Sequence, residues 1–394
     1  MNYNFDKFIN RKGTYCTQWD FIQDRFGKAD VLPFSISDMD FQSPPQILQR
    51  LEKHLKHGIF GYTRWNHDSF KSSITHWYKT RFDAKIKPDW IVYSPSVMYT
   101  ISKLIEILTD ENDQIVLQVP AYDAFFKTIQ TSNRRILPNP LIYSSGKYSL
   151  NFGQLEKLLA EEKTKILLLC NPHNPTGRVW NEQELKTIVE LCAKYEVNIL
   201  SDDIHMDFAF GKKFTPITEV ATDLNNVFIC TSASKTFNTP ALGGSYALIP
   251  NDFVREKFLS ILKMRDGLSS ASIFGMLSII EGYNQATDWV NQLKQYIYQN
   301  HIIVQSFLEK ELPILHYSLP ESTFLAWIDC SKLNRSGVEI KEALVNIGQV
   351  GIMGGDVYGA EDGKFLRMNI GCPKEKLYKG LQGLKKAVDY LIHG

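Results

Sequence analysis

A single lysine follows a short apolar run, and it is well placed for covalent chemistry. Residues 227–230 are β-branched, aromatic or otherwise apolar, which predicts a buried strand of a parallel sheet. The small hydroxyl residues Ser232 and Ser234 come next, and Lys235 follows them. Because ligand sites of open α/β sheets lie beyond the carboxyl ends of strands, the Lys235 amine could form a Schiff base with an aldehyde there. A solvated lysine at a strand end is the alternative interpretation of this stretch alone.

Ser232 and Lys235 also have the S-x-x-K spacing of penicillin-recognising serine enzymes. The companion signatures S-D-N and K-T-G each miss by one residue, since residues 201–203 read S-D-D and residues 235–237 read K-T-F. The second signature would overlap the first motif, and the serine nucleophile of that class opens a helix rather than closing an apolar strand. We therefore set this class aside.

Further strand ends carry residues that could bind one ligand together. Small residues around Ser96 precede a helix and present backbone N–H groups that favour a phosphate. Tyr122 can lie on the face of a flat ring, and Asn174 supplies amide groups from the rigid turn N-P-H-N-P-T-G. Asp202 follows a buried strand, so its carboxylate needs a cation, such as a protonated pyridine nitrogen, to stay ionised. The predicted strands before them are residues 90–93, 115–117, 165–170 and 197–200.

Other ligand classes are less well supported by the pattern. The acids and the histidine of residues 201–207 could form a metal site, but no matching ligand cluster lies elsewhere in the chain. Neither G-x-G-x-x-G nor a Walker lysine is present, so a nucleotide is not indicated. Arg367 lies in an alternating strand, where it is either a surface ion pair or a buried fork for a carboxylate.

Composition restricts the class of protein. The chain has 394 residues, 44% of them hydrophobic and 22% charged, with a net charge of +1. This charge gives no general attraction to nucleic acid or to a membrane, and the longest apolar runs are strand-sized. The N-terminus lacks the plan of a signal peptide, and the six cysteines form no C-x-x-C pair. We expect reduced cysteines and a cytoplasmic location.

The order of elements predicts an α/β fold. Strand, loop and helix repeat from about residue 90 to residue 249, and a largely helical stretch follows to about residue 312. Short strands mixed with helices make up the rest. We expect a large domain with a mostly parallel, doubly wound sheet and a smaller α/β domain. The predicted large domain covers residues 46–285, and residues 1–45 with 286–394 form the N-terminal arm and the small domain.

The succession of these motifs resembles the pyridoxal-phosphate enzymes of fold type I, the aspartate-aminotransferase superfamily. The resemblance covers essentially the whole chain, and N-P-H-N-P-T-G together with S-x-S-K-T-F-N is specific to it. It implies that Lys235 holds the cofactor and moves the Cα proton, and that Asp202 pairs with the pyridinium nitrogen. Asn174 would bind the phenolic oxygen and help to bind substrate, and Tyr122 would stack on the ring.

The resemblance also implies where the two charged ends of cofactor and substrate bind. Arg367 would grip the substrate α-carboxylate in two-point fashion. Tyr62 occupies the place of a tyrosine that reaches the phosphate of the neighbouring subunit, which implies a homodimer with shared active sites. The phosphate would be held by Ser232, Ser234 and the backbone of Ser96, Val97 and Met98.

Two departures from the common aminotransferase pattern point to a subgroup. His205 stands where a cofactor-contacting tyrosine is usual, and Gly243 stands where a phosphate-binding arginine is usual. In both departures the chain resembles the MalY/PatB-type cystathionine β-lyases. The run S-D-M-D-F at residues 37–41 resembles that subgroup as well. This resemblance implies α,β-elimination from a cysteine thioether, with Tyr122 or Tyr62 assisting at the thiolate. The alternatives are an aminotransferase of an α-amino acid and a cofactor-binding regulatory protein.

Overall fold

Strands and connecting helices alternate through the middle of the chain in the computed structural model, which describes residues 3–394. The strands are β1 (Leu32–Pro33), β2 (Ile91–Ser94), β3 (Gln114–Val119), β4 (Arg135–Pro140), β5 (Ile142–Ser144), β6 (Lys147–Ser149), β7 (Thr164–Cys170), β8 (Asn198–Asp202), β9 (Val227–Thr231), β10 (Ser245–Leu248), β11 (Leu325–Asp329), β12 (Val350–Gly351), β13 (Met353–Gly354) and β14 (Phe365–Asn369). The α-helices are α1 (Ile22–Phe26), α2 (Pro45–His57), α3 (Asp68–Phe82), α4 (Val97–Leu108), α5 (Asp123–Thr131), α6 (Phe152–Leu159), α7 (Glu182–Lys194), α8 (Ser234–Phe237), α9 (Asp252–Ser260), α10 (Ile273–Gln285), α11 (Thr287–Glu311), α12 (Gly337–Asn346) and α13 (Lys374–His393).

Seven strands form the large sheet in the order β2-β10-β9-β8-β7-β3-β4. Only β10 is antiparallel to its neighbours, so the other six strands point the same way. The central strands are buried on both faces, which explains their uninterrupted apolar sequences. The carboxyl ends of these strands therefore meet at one edge, and the predicted mostly parallel α/β fold is confirmed.

A second sheet has the order β11-β14-β13 and lies against a separate hydrophobic core. Helix α11 belongs to both cores, because Trp289 and Leu293 pack in the large one and Val304 and Leu308 pack in the small one. The predicted domain boundary at residue 285 falls just before this shared helix, and it stays a prediction.

No helix within residues 3–394 has the length and apolar character needed to cross a membrane. All six cysteines have free thiols, and five of them are buried.

A buried charge network attaches the N-terminal residues to α13. Asp40 accepts hydrogen bonds from Arg11 at 2.8 Å and from the indole N–H of Trp19 at 3.0 Å, and its other oxygen lies 2.5 Å from the ammonium of Lys376. The second guanidinium nitrogen of Arg11 donates to Asp38 at 2.6 Å. Burial alone would raise the pKa of Asp40, but the Lys376 ammonium and these hydrogen bonds hold it below its ordinary value. The network thereby fixes residues 35–40, of which residues 35–37 line the cavity described below.

We expect Lys376→Met to lower the free energy of unfolding at pH 7 by about 3 kcal/mol. The substitution leaves the Asp40 carboxylate buried without its ammonium partner, and only the contacts with Arg11 and Trp19 remain. The pKa of Asp40 is depressed in the folded chain, so its stabilising contribution is present above its unfolded pKa and is lost as the pH falls through the folded value. The difference in free energy of unfolding between the wild-type chain and Lys376→Met should therefore be smaller at acidic pH. Urea unfolding of both chains at neutral and acidic pH measures this difference.

Lys379→Met on the same helix is the matched control. Lys379 pairs with Glu375 one turn away, and both side chains are exposed. Its removal should change the free energy of unfolding by less than about 1 kcal/mol. Equal losses in the two variants would contradict the assigned role of the buried network.

Candidate active site

A cavity of about 380 Å³ opens at the carboxyl ends of the parallel strands and also reaches β14 of the small sheet. It brings together all but one of the site residues that the sequence predicts; Tyr62 lies elsewhere. The predicted residues that line it are Ser96, Val97, Met98, Tyr122, Asn174, Asp202, His205, Ser232, Ser234, Lys235 and Arg367.

Lys235 faces this cavity from α8, the short helix that follows β9. Its amine donates a hydrogen bond to the carbonyl of Ser37, and no ion pair to it is present within residues 3–394. The pKa of Lys235 is lowered to about 8, mainly by burial and also by the charge of Arg367, while Asp38 and Asp202 oppose the change. About a tenth of the amine is therefore neutral at pH 7, far more than for an ordinary lysine, and the neutral form is the one that a nucleophile or a base requires.

Asp202 ends β8 as a buried carboxyl group without a cationic partner in ion-pair contact in the described part of the chain. One oxygen accepts a hydrogen bond from the backbone N–H of Ile204 at 3.1 Å. Burial raises its pKa from 3.8 to about 7, against the opposing effects of that hydrogen bond and of Lys235. A cation bound against the carboxylate would restore its ionised form.

His205 follows Asp202 and turns a neutral ring toward the same cavity. Burial lowers its pKa to about 3, and the positive charges of Lys235 and Arg367 act in the same direction. The ring packs edge-on against Phe324 at 5.9 Å between centroids. Its Nδ1 atom is buried with no hydrogen-bond partner in the structure, so a bound group can still be contacted there.

Arg367 is a buried arginine on β14 with no carboxylate against it within residues 3–394. Its guanidinium donates to the side-chain oxygen of Asn174 at 3.1 Å and to the carbonyl of Ser35 at 2.9 Å. It also lies 4.3 Å from the ring centre of Tyr358. The Nε–H has no hydrogen-bond partner among the described residues, and burial lowers the pKa of the group. Such an uncompensated cation is suited to bind an anionic ligand.

The amino end of α4 presents free backbone N–H groups to the cavity. The Ser96 side chain caps the helix by accepting from the N–H of Tyr99 at 3.1 Å. The N–H groups of Val97 and Met98 make no hydrogen bond in the described structure. Together with the helix dipole they favour a phosphate at this point.

The two serines near Lys235 differ in what they can donate. The hydroxyl of Ser232 donates to the carbonyl of Gly244 at 2.9 Å and accepts from the N–H of Ser234 at 3.1 Å. Its proton is therefore engaged within the protein. The Ser234 hydroxyl also lines the cavity and makes no such contact with residues 3–394, so it is the better donor to a ligand.

Gly243 has a backbone conformation that side chains rarely adopt, with φ 71° and ψ 179°. Its carbonyl oxygen would lie 2.1 Å from a Cβ atom built on Gly275, so the two glycines also approach closely. An arginine at Gly243 would therefore be strained in this local backbone, although the nearest atom to its Cβ would be the Ser272 Cβ at 3.7 Å.

Tyr62 is fully exposed, at 101% of its reference surface, in the loop between α2 and α3. The neighbouring Thr63 is bonded to Ser270 and Ala271, and Phe60 packs against Phe274 at 5.8 Å between ring centres. The loop is thus held on the body of the protein, and Tyr62 does not line the cavity of its own chain.

The sequence did not indicate Tyr358 or the carbonyls of Ser35 and Ser37 as parts of the site. Tyr358 lines the cavity at the end of a short 3-10 helix, and its carbonyl accepts from the N–H of Ala121, next to Tyr122. A backbone carbonyl has no signature in a sequence. The S-D-M-D-F run was the available signal for this segment, because it begins with Ser37 and follows Ser35 by two residues.

The groups in the cavity fit pyridoxal phosphate part by part. The amine of Lys235 suits its aldehyde, and the carboxyl group of Asp202 lacks the cation that a protonated ring nitrogen supplies. The unbonded N–H groups of Val97 and Met98 suit its phosphate. Tyr122, half-buried at the start of α5, presents a ring to the same space.

Comparisons with known proteins agree with this geometry. The family model for aminotransferase class I and II matches residues 29–384. The chain is 42% identical to Protein MalY of Escherichia coli, with 98% of this chain and 99% of that protein covered. It is 35% identical to cystathionine beta-lyase PatB of Bacillus subtilis, over 98% of this chain and all of that one. The structure is similar to the pyridoxal-phosphate-bound C-S lyase of Staphylococcus hominis, with a TM-score of 0.93, 26% identity and 98% of each chain covered.

Proposed function

Because this chain belongs to the aminotransferase class I and II family, and resembles its MalY/PatB-type members along nearly its whole length, we propose that it is a pyridoxal-phosphate-dependent carbon–sulfur lyase. Its reaction is α,β-elimination from a cysteine thioether such as L-cystathionine, which releases a thiol and an enamine that water hydrolyses to pyruvate and ammonia. The observation that carries the proposal is the shared cavity of Lys235 and Arg367, an amine of lowered pKa beside an arginine without an anionic partner. The Bacillus subtilis relative PatB is named a cystathionine beta-lyase, and the Staphylococcus hominis protein is named a C-S lyase.

Arg367 positions the substrate in this proposal. Two of its N–H groups bind the α-carboxylate, and the Asn174 amide that it contacts orients the same end of the molecule. This contact places the Cα–H bond near Lys235. Bound pyridoxal phosphate supplies the electron sink that makes the Cα proton removable, and Asp202 favours its protonated ring nitrogen.

Lys235 then acts as the base. The neutral amine takes the Cα proton onto Nζ, and the electron pair released at Cα forms the Cα–Cβ double bond while the Cβ–S bond breaks. The departing sulfur takes that bond's electron pair and is protonated as it leaves. Burial raises the pKa of Tyr122, so its hydroxyl keeps its proton and can donate it. Tyr62 of a second subunit is the other candidate donor.

The test is incubation of purified protein with L-cystathionine and no added keto acid, while pyruvate and free thiol are followed together. We expect equal amounts of both over many turnovers. Absence of both products, with amino transfer once a keto acid is supplied, would make the protein an aminotransferase instead. Absence of either activity would leave the regulatory alternative.

We also propose that the protein acts in the cytoplasm as a homodimer with shared active sites. The free thiols of its six cysteines fit a reducing compartment. The full exposure of Tyr62, on a loop that carries the exposed Ile59 and Phe60, supports a partner surface there.

Mixing two impaired variants tests whether the sites are shared. Tyr62→Ala should lower activity by at least about tenfold, because a hydrogen bond to a charged group is lost. In a dissociated and reassociated mixture with Lys235→Ala, half of the dimers are mixed and each regains one complete site. Activity should therefore rise to about a quarter of the wild-type value. Activity that stays at the average of the two variants would contradict shared sites.

A further inference from the structure

Two oppositely charged side chains line the cavity without a role in the proposed elimination. Arg25 approaches it from α1, and Asp123 from the first turn of α5, next to Tyr122. They share the cavity with Lys235 and Arg367, but neither contacts those residues. The reaction at Cα and Cβ leaves both charges unused.

Arg25 has no carboxylate partner within residues 3–394. Its guanidinium approaches only a thioether, the sulfur of Met353, at 3.6 Å. Thioether sulfur is a weak acceptor, and guanidinium has five N–H donors in a planar fork. An arginine that is exposed at a cavity and lacks an anion is suited to a carboxylate from the ligand.

Asp123 is the anionic member of the pair. Its carboxylate lies 3.7 Å from the ammonium of Lys127, one turn away and well exposed, so this contact is weak. Asp123 and Arg25 do not form an ion pair with each other in the described chain. Both charges nevertheless act on the cavity: burial raises the pKa of Tyr122 and of Tyr358, Asp123 adds to each rise and Arg25 opposes it.

Opposite charges that do not neutralise each other match a ligand that carries both. In the proposed function Arg367 and Lys235 hold the α-carboxylate and Cα of the cysteine half, so the other half of the thioether extends through the rest of the cavity. A free α-amino acid at that far end carries one carboxylate and one ammonium group. An alkyl thioether carries neither.

We propose that Arg25 and Asp123 select cysteine conjugates whose far end is a free α-amino acid, with Arg25 binding its carboxylate and Asp123 its ammonium group. This assignment rests on the proposed function and specifies its substrate class. It predicts that L-cystathionine is favoured over S-alkylcysteines of similar length.

Four substrates that share one chain length separate the two contacts. L-cystathionine has both far-end charges, S-(3-carboxypropyl)-L-cysteine has only the carboxylate, S-(3-aminopropyl)-L-cysteine has only the ammonium group, and S-propyl-L-cysteine has neither. For the holoenzyme we expect kcat/KM to be highest with L-cystathionine. Arg25→Met should lower the ratio of kcat/KM for the carboxypropyl over the propyl substrate by about tenfold. Asp123→Asn should lower the ratio for L-cystathionine over the carboxypropyl substrate, which lacks only the ammonium group.

Lys186→Met, which removes an exposed charge on α7, is the control and should leave all ratios unchanged. Arg25→Lys should recover part of the preference, because it keeps the charge but not the fork. Equal losses on all four substrates, or ratios unaffected by Arg25→Met, would overturn the assignment while pyruvate release still supports the lyase. If wild-type protein releases pyruvate from none of the four, the proposed function itself fails.

Discussion

Lys235→Ala is expected to lower pyruvate release from L-cystathionine by at least about 10⁴-fold, because one side chain supplies both the covalent anchor and the base. The neighbours cannot replace it. His205 lines the cavity, but its pKa of about 3 makes it a weak base, and Tyr122 keeps its proton because burial raises its pKa. Steady-state release of pyruvate and thiol measures the loss.

Loss of structure must be separated from loss of the base. Lys263→Ala removes a lysine outside the cavity and should retain full activity. A small primary amine added to Lys235→Ala should restore part of the rate, since it can enter the space that the side chain leaves and accept the proton. Turnover near the wild-type rate in Lys235→Ala would refute the proposed mechanism.

Asp202→Asn is the second large effect, and we expect a loss of about 10³-fold in kcat. The amide has nearly the same shape, but it cannot stabilise a protonated ring nitrogen, and the electron sink is weakened. Cofactor binding should weaken as well, since an ion pair becomes a neutral contact. Measured kcat with saturating cofactor separates these two losses, and a kcat within tenfold of wild type would contradict the assigned pairing.

The same substitution should stabilise the cofactor-free chain at neutral pH. The folded pKa of Asp202 is about 7 against an ordinary 3.8, so between these values the folded state holds a proton that the unfolded state has released. The contribution of Asp202 to the free energy of unfolding of the wild-type chain therefore falls as the pH rises, by up to about 1.4 kcal/mol per pH unit. Asp202→Asn removes this fall. Urea unfolding of both cofactor-free chains at pH 5 and pH 8 measures the difference.

Local sequence predicted the large sheet well, because its central strands are buried on both faces and read as unbroken apolar runs. Strand β14 occupies the predicted residues, and β7 and β8 differ from the prediction by two residues at most. Strand β4 was not predicted. Its sequence R-I-L-P-N-P contains Pro138 and Pro140, and proline argues against a strand except at a sheet edge, where β4 lies.

The site was predictable where side chains carry the chemistry and follow strands directly, as Lys235 and Asp202 do. Contacts between distant segments were not, because no local pattern encodes them. Lys376 meets Asp40 across 336 positions, and the partners of Arg367 include a carbonyl 332 positions away. The exposed Arg25 also had no signal, since one arginine in a short helix is ordinary until the cavity beside it is known.

Gly243 has a consequence for how this protein could change over evolutionary time. The backbone there strains any side chain, and its carbonyl occupies the space that a side chain at residue 275 would need. An arginine acquired at 243 would be strained in this backbone, and relief of the strain by rotation of the chain would move the peptide against which Gly275 packs. We therefore expect the two positions to constrain each other's substitutions.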